Sequence, residues 1–338
     1  MVKTTNKRQL DMFEKATMDK TQSEKIESST NGFWSDAISR LLKNKASAIA
    51  LAIIIILMLL SVFGPFMNSY GFDDQDVSRA YLPPKVPILE NISWLGMDGT
   101  DINGNDQYAI KDVDTYFWFG TDSLGRDQWT RIWEGTRVSL FIALLAAAID
   151  LVIGVVYGGI SAYYGGRVDN IMQRILEILI GLPNLILILL VILLLQPGIT
   201  SIVIAMTITG WTGMSRVVRG QMLKLKNEEY VLAARTLGAP HHKVIFKHLM
   251  PNSLGQIIIT TMFTIPSAIF FEAFLSFIGL GIRAPQASLG SLASEGYSAV
   301  TIFPHIVIWP ALIISLLLIS FNILADGLRD AFDPKMRV

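Results

Sequence analysis

The chain has 338 residues, of which 51% are hydrophobic and 17% charged. Its 28 Lys and Arg balance 28 Asp and Glu, so net charge indicates no nucleic-acid partner. It contains no cysteine, which excludes disulfides, thiolate metal sites and cysteine nucleophiles.

Residues 1–30 are polar and rich in Ser, Thr, Lys and Glu, a composition that predicts a disordered cytosolic N-terminus. Residues 31–45 predict an interfacial helix. Phe33, Trp34, Ile38, Leu41 and Leu42 share one helical face, while Arg40, Lys43 and Lys45 can reach head groups. The first apolar run begins only at Ala46, too late for a secretory signal peptide.

A helix crossing a bilayer needs about 20 consecutive apolar residues. No charge occurs from Ala46 to Phe72, which places span one at 46–69. Residues 70–134 have no apolar run long enough for a core of their own and are expected to form a folded extension docked on the outer face. Residues 135–338 then carry the remaining spans. Val138–Tyr164 contains one charge, Asp150, and is span two. The stretch Ile178–Ser215 is uncharged but too long for one helix, and Gln196-Pro197-Gly198 is its natural break. Span three is therefore read as Met172–Leu195 and span four as Ile199–Val218. Span five follows at Ser253–Leu275 and span six at His305–Ala325. The fold class is an all-α integral membrane protein with six transmembrane helices.

Charge orients these spans. Residues 1–45 hold nine Lys or Arg, and residues 216–251 hold seven against Glu228 and Glu229. The segment 70–134 holds 12 acids and five bases. Basic loops stay on the cytosolic side, so both termini are expected there and 70–134 outside.

Several chemistries are missing. GTDSLGRD (120–127) has the glycine spacing of a P-loop, but Arg126 and Asp127 stand where Lys and Ser/Thr are required. No H-E-x-x-H or G-x-S-x-G occurs. His241, His242 and His248 have no acid or cysteine at ligand spacing, so no metal site is assigned. DGTDINGND (98–106) is rich in oxygen ligands but fits no EF-hand registration and reads as a turn-rich loop. Asp150, Glu177, Glu272 and Asp326 lie in or at the edge of spans. The last three are expected to make helix–helix contacts; Asp150, nearest a span centre, has no such ready explanation. In a secondary transporter such residues would be paired and an internal repeat would be visible; neither stands out.

The cytosolic loop 219–251 is the most informative stretch. Tyr230, Ala233, Ala234 and Leu237 recur at helical spacing and make a short, mostly small-residue face. Gly238 can take the left-handed conformation that ends the helix. A turn at Ala239-Pro240 leads to a second helix, with Val244, Ile245, His248 and Leu249 on one side and Lys243 and Lys247 on the other. Pro251 fits the first turn of span five. The product is a helical elbow.

This elbow resembles the loop that ABC importer permeases insert into their ATPase subunits, whose pattern is E-A-A, three residues, Gly, nine residues, I-x-L-P. Ala233, Ala234, Gly238 and Pro251 match it; Leu232, His248 and Met250 depart from it. FGTDSLGRDQWTRIWEGTRVSL, YYGGRVDNIMQRILEILIGLP, SRVVRGQMLKLKNEEYVLAARTLGA, FLSFIGLGIRAPQASLGSLASEG and FNILADGLRDAFDPKMR extend the likeness over residues 31–338. The chain is similar to the oligopeptide, dipeptide and nickel importer permeases, to the subunit type with the GTDxxGRD signature.

The resemblance implies the type I importer permease fold and a bacterial plasma-membrane location. It implies a second, different permease subunit, two ATPase subunits that use ATP and Mg, and an extracytoplasmic peptide-binding protein. This chain would bind no cofactor and have no catalytic residues. Tyr230, Ala233, Ala234, Leu237, Gly238, Ala239, Pro240 and His241 would dock the ATPase. Arg283 and Glu295 would contact the pathway or the binding protein. Oligopeptide is the expected cargo; dipeptides, nickel or another small solute are alternatives, and a secondary transporter is the rival of a different class.

Overall fold

The computed structural model describes residues 33–91 and 96–332; the stretch 1–30, expected to be disordered, lies outside the described residues. Helix α1 (Phe33–Lys43) carries an Asp36–Arg40 pair of 3.0 Å. Its apolar residues divide instead of sharing one face. Ala37 and Leu41 are buried, while Trp34, Ile38 and Leu42 stand exposed where lipid would cover them. Asn44 then caps α2 (Lys45–Phe63), its side chain accepting from Ala46 N and Ser47 N.

The extension that follows has a small core of Leu82, Tyr108 and Phe117. Tyr81 stacks on Phe303 and Phe119 on Trp309, at 4.2 and 4.0 Å between ring centroids. These stacks dock the extension on the bundle. The oxygen-rich loop spends its acceptors internally: Asp101 takes hydrogen bonds from Asn103 N, Asn105 N and the Gln107 side chain. The bonds from Asn105 come first in holding its carboxyl below the usual carboxylate range. Among the described residues no group of three or more His, Asp or Glu could hold a metal ion.

Helix α3 runs from Gln128 to Tyr164, 37 residues, or roughly 55 Å at 1.5 Å per residue. The sequence placed the end of the outer segment at 134 and span two from Val138. The helix in fact starts at Gln128, because Asp127 caps it by accepting from Thr130 N at 2.8 Å. Charge marks where a helix leaves the bilayer, not where it ends. For the same reason α6 (Ile199–Leu225) continues past Val218 through Arg219 and Lys224.

Span three is the larger correction. The expected helix Met172–Leu195 is two helices, α4 (Gly166–Gly181) and α5 (Asn184–Leu195), bent by 81°. The break is Leu182-Pro183. Pro183 cannot donate a backbone bond and forces Leu182 into an extended conformation (φ −83°, ψ 134°). The second break falls at Gln196–Gly198, as the sequence predicts.

After α7 (Glu229–Thr236), α8 (His241–Phe277) is continuous. The elbow's second helix and span five were expected to be separate. A π turn at Val244–Leu249 instead carries the helix into Pro251. Helix α9 (Leu289–Tyr297) is closed by a Ser288–Ser291 capping box, and α10 (His305–Phe332) is the last span. Among the described residues five helices are long and apolar enough to cross a membrane, and there are six if the bent pair α4–α5 is one span.

Helices α3 and α6 meet through glycines. A Cβ on Gly158 would lie 2.4 Å from the Ser215 carbonyl oxygen, and one on Gly154 2.6 Å from Met214 Cβ. Small residues four apart allow such backbone approach in membranes. Glu272 is fully buried on α8 and accepts from Ser139 Oγ (2.6 Å) and Ser276 Oγ (2.7 Å), and Ser139 Oγ accepts from Leu289 N. It joins α3, α8 and α9 as expected. Glu177 and Asp326 do not make the expected helix contacts; both are exposed, and Glu177 pairs with Arg174 on its own helix.

Candidate functional site: the elbow and the end of the bundle that holds it

Helix α7 ends in a Schellman motif. Gly238 sits at φ +77°, its N–H donates to Arg235 O (2.9 Å), and Ala239 N donates to Ala234 O (3.0 Å). No atom lies within 4 Å of a Cβ built on Gly238, so the glycine is required by conformation rather than by space.

The inner face of the elbow is Val231, Val244 and Leu249, all fully buried against Met222 and Met214 of α6. Ala234 turns partly toward this face, whereas Tyr230, Ala233 and Leu237 are exposed. The expected docking face is therefore split, since a 3.6-residue repeat cannot hold Ala233 and Ala234 equally outward. Leu237 is 87% exposed, Leu232, five residues before it, is 47% exposed, and Phe246 of α8 is 72% exposed. Leu232 and Phe246 were not among the sequence candidates. For Phe246 the signal was legible: a large apolar residue next to Lys247 on the polar side of an amphipathic helix.

Ala239 is half-buried and Pro240 exposed at the start of α8. His241 is directed to the bundle, its Nδ1 bonded to the Tyr163 hydroxyl. Tyr163 is a further residue the sequence did not single out. The Arg235 guanidinium lies over its ring at 5.4 Å, and Lys226 Nζ donates to the carbonyls of Ala162 and Tyr163 at 3.2 and 2.7 Å. A cation thus satisfies the free carbonyls at the end of α3. Nearby, Arg219 donates twice to Asp169 at 2.6 Å, tying α6 to α4. These contacts join the elbow to α3 and α6, and α6 to α4.

The GTDSLGRD loop lies at the opposite end of α3. A Cβ on Gly125 (φ +71°) would fall 1.9 Å from the Asp76 carbonyl oxygen. Asp122 accepts from Leu124 N, Arg126 N and Arg126 Nε. Arg126 and Arg131 converge on Glu295 of α9 at 3.0 and 2.9 Å. Glu295 was expected to face the pathway or a binding protein. It pins α9 to the loop, and its side chain remains 38% exposed. Arg283 is exposed and has no partner among the described residues.

Residues 151–338 match the family described as binding-protein-dependent transport system inner membrane component, and residues 32–84 match the N-terminal TM domain of oligopeptide transport permease C. The class of protein is thus a membrane permease. The chain is 43% identical over 326 residues to the oligopeptide transport system permease protein OppC of Bacillus subtilis, covering 96% of this chain and 97% of that one. It is 44% identical over 307 residues to the dipeptide transport system permease protein DppC of the same species, with 90% and 87% covered. A crystal structure of an amino acid ABC transporter with histidines is 19% identical, with a TM-score of 0.47 over 59% of this chain and 92% of that one. The chain belongs to the family of binding-protein-dependent transport system inner membrane components. It is a permease subunit of an importer and not an enzyme.

Proposed function

We propose that this chain passes peptides through a bacterial plasma membrane and that its elbow couples the passage to ATP hydrolysis on partner subunits. The observation that carries the reading is that Leu232, Leu237 and Phe246 stand exposed on an elbow whose inner face is fully buried against α6. Large apolar residues left in solvent on one short element suit a protein contact. An element that transmits motion must be stiff, and the Schellman turn together with the buried inner face supplies stiffness.

The partners in this reading are two ATPase subunits that bind ATP and Mg, a second permease and an extracytoplasmic peptide-binding protein. ATP draws the ATPases together, the elbows follow, and the spans alternate between inward and outward access. Both termini and the elbow lie in the cytosol, the acidic extension outside. The names of the two relatives support a peptide cargo, with oligopeptide ahead of dipeptide because that match covers more of both chains. The test is uptake of labelled tetraalanine and dialanine by cells lacking other peptide importers. Deleting this chain abolishes uptake of the true cargo; undiminished uptake of both refutes the reading. Orientation is checked with cysteines at the exposed positions Ser78 and Asn227: an impermeant reagent on intact cells labels the first and spares the second.

A further inference from the structure

Asp150 lies 12 residues after Val138 and 14 before Tyr164, roughly 18 and 21 Å from the two ends of the apolar part of α3. It is 6% exposed. No described residue donates a hydrogen bond to it and no cation pairs with it; its Oδ1 is buried without a partner. A carboxylate so deep in a membrane protein without a partner is costly, and nothing within the chain offsets that cost. The carboxyl borders a cavity of about 310 Å³ between α3, α5, α6 and α8.

The rest of the lining has a definite chemistry. Thr260, Thr264 and Ser267 sit on α8 at spacings of four and three. Each hydroxyl donates its proton to a carbonyl one turn earlier, at 2.8, 3.0 and 3.0 Å. Their oxygens are thereby left as acceptors. Asn184 on α5 accepts from Thr209 Oγ1, which leaves its two amide N–H groups without a partner among the described residues. The lining therefore offers one carboxyl, several neutral acceptors and one amide donor, set among apolar side chains such as Ile188, Met206 and Phe271. No described group of three His, Asp or Glu exists to strip water from a metal ion. The ligand that fits is an organic ammonium that also carries a carbonyl acceptor.

We propose that Asp150 is the recognition point for the α-ammonium group of the peptide in transit, with Asn184 placed to donate to the carbonyl that follows. This rests on the reading of the chain as a peptide permease. Gly210 is part of the design. It faces the carboxyl so closely that a Cβ there would lie 2.2 Å from Asp150 Oδ2. A methyl group at this position would push the carboxyl aside without changing any charge.

The test uses the complete complex of both permeases and the ATPase subunits, in lipid nanodiscs without the binding protein. Equilibrium binding of radiolabelled tetraalanine is compared with that of N-acetyl-tetraalanine, with and without ATP. The wild type should prefer the free amine by at least tenfold in the state with the cavity open. Asp150→Asn should abolish the preference by weakening tetraalanine alone, Gly210→Ala should reduce it, and Asp150→Glu should keep most of it. The proposal is overturned if the wild type shows no preference or if Asp150→Asn retains it. It is overturned equally if Asp150→Asn sheds the second permease, since Asp150 would then be pairing with a cation of that subunit. Tetraalanine uptake by the wild-type system with its binding protein separates the two readings. Without uptake, peptide import itself fails and this proposal with it; with uptake but no amine preference, only this proposal fails.

Discussion

Gly238 isolates the conformational requirement of the elbow. Because nothing lies within 4 Å of a Cβ at this position, a substituent meets no neighbour and the cost is that of the backbone at φ +77°. For an ordinary residue the left-handed region costs roughly 1–2 kcal/mol, and less for Asn. A β-branched residue is at the upper end or beyond, about 2–3 kcal/mol. The inner face of Val231, Val244 and Leu249 is fully buried and contributes roughly 1.5–3 kcal/mol per side chain. The strain therefore loosens the elbow without dissolving it. At about 1.4 kcal/mol per factor of ten, opening of the turn rises roughly 5- to 30-fold for Gly238→Ala and about 30- to 150-fold for Gly238→Val, with Gly238→Asn below Ala. Hydrogen exchange over residues 229–250 reads this directly, because Gly238 N and Ala239 N donate the two Schellman bonds. Uptake should fall in the same order. Unchanged exchange in Gly238→Val would refute the strain argument. Three variants equally inactive with normal exchange would show that a docked partner, not the backbone, excludes the side chain.

Leu237→Glu and Phe246→Glu alter residues that touch little within the chain; thermal stability should stay within about 0.5 kcal/mol while co-purification of ATPase subunits falls at least tenfold. Retained co-purification would remove this surface from the docking site. Asp122→Ala should destabilise by about 3–5 kcal/mol, because it strips a carboxylate from the buried Arg126 and Arg131. Glu295→Ala should cost less, since its side chain is partly solvated; thermal unfolding in detergent ranks them, and the reverse order would be inconsistent with the geometry. Gly158→Ala should lower stability by about 1–3 kcal/mol through contact with the Ser215 backbone. Gly159→Ala, whose new methyl meets only the flexible end of Met222, Sδ at 3.5 Å and Cε at 3.9 Å, should be close to neutral, and equal effects would show that α3 and α6 do not rely on this approach.

The missed features of the elbow share one cause. Tyr230, Ala233, Ala234 and Leu237 are close in helical phase, but which side of α7 meets the bundle depends on where α6 and α8 place it. Val231, fully buried, settled that choice, and no local pattern marks Val231 above Leu232. His241 and Tyr163 are 78 residues apart in the chain, and Glu295 and Arg131 are 164 apart; pairings at such range leave no periodic trace. The break at Leu182-Pro183 was legible from the proline alone. The uncharged run around it nonetheless has the length of a span, so length and proline point to different helices here.

The sequence by itself determined what local chemistry and solvent dictate. Apolar length set the number of spans, charge asymmetry set the expected sides, and Gly238 set the end of α7, because each depends on a residue and its immediate surroundings. Only the tertiary structure decided which polar groups are satisfied by distant ones. It turned the GTDSLGRD signature into a clamp on α9 and made Glu272 a junction of three helices. It also left Asp150 alone at the edge of a cavity. Whether a buried charge is paired is a property of the assembled helices, since the partner that would neutralise it must come from elsewhere in the chain or from outside it.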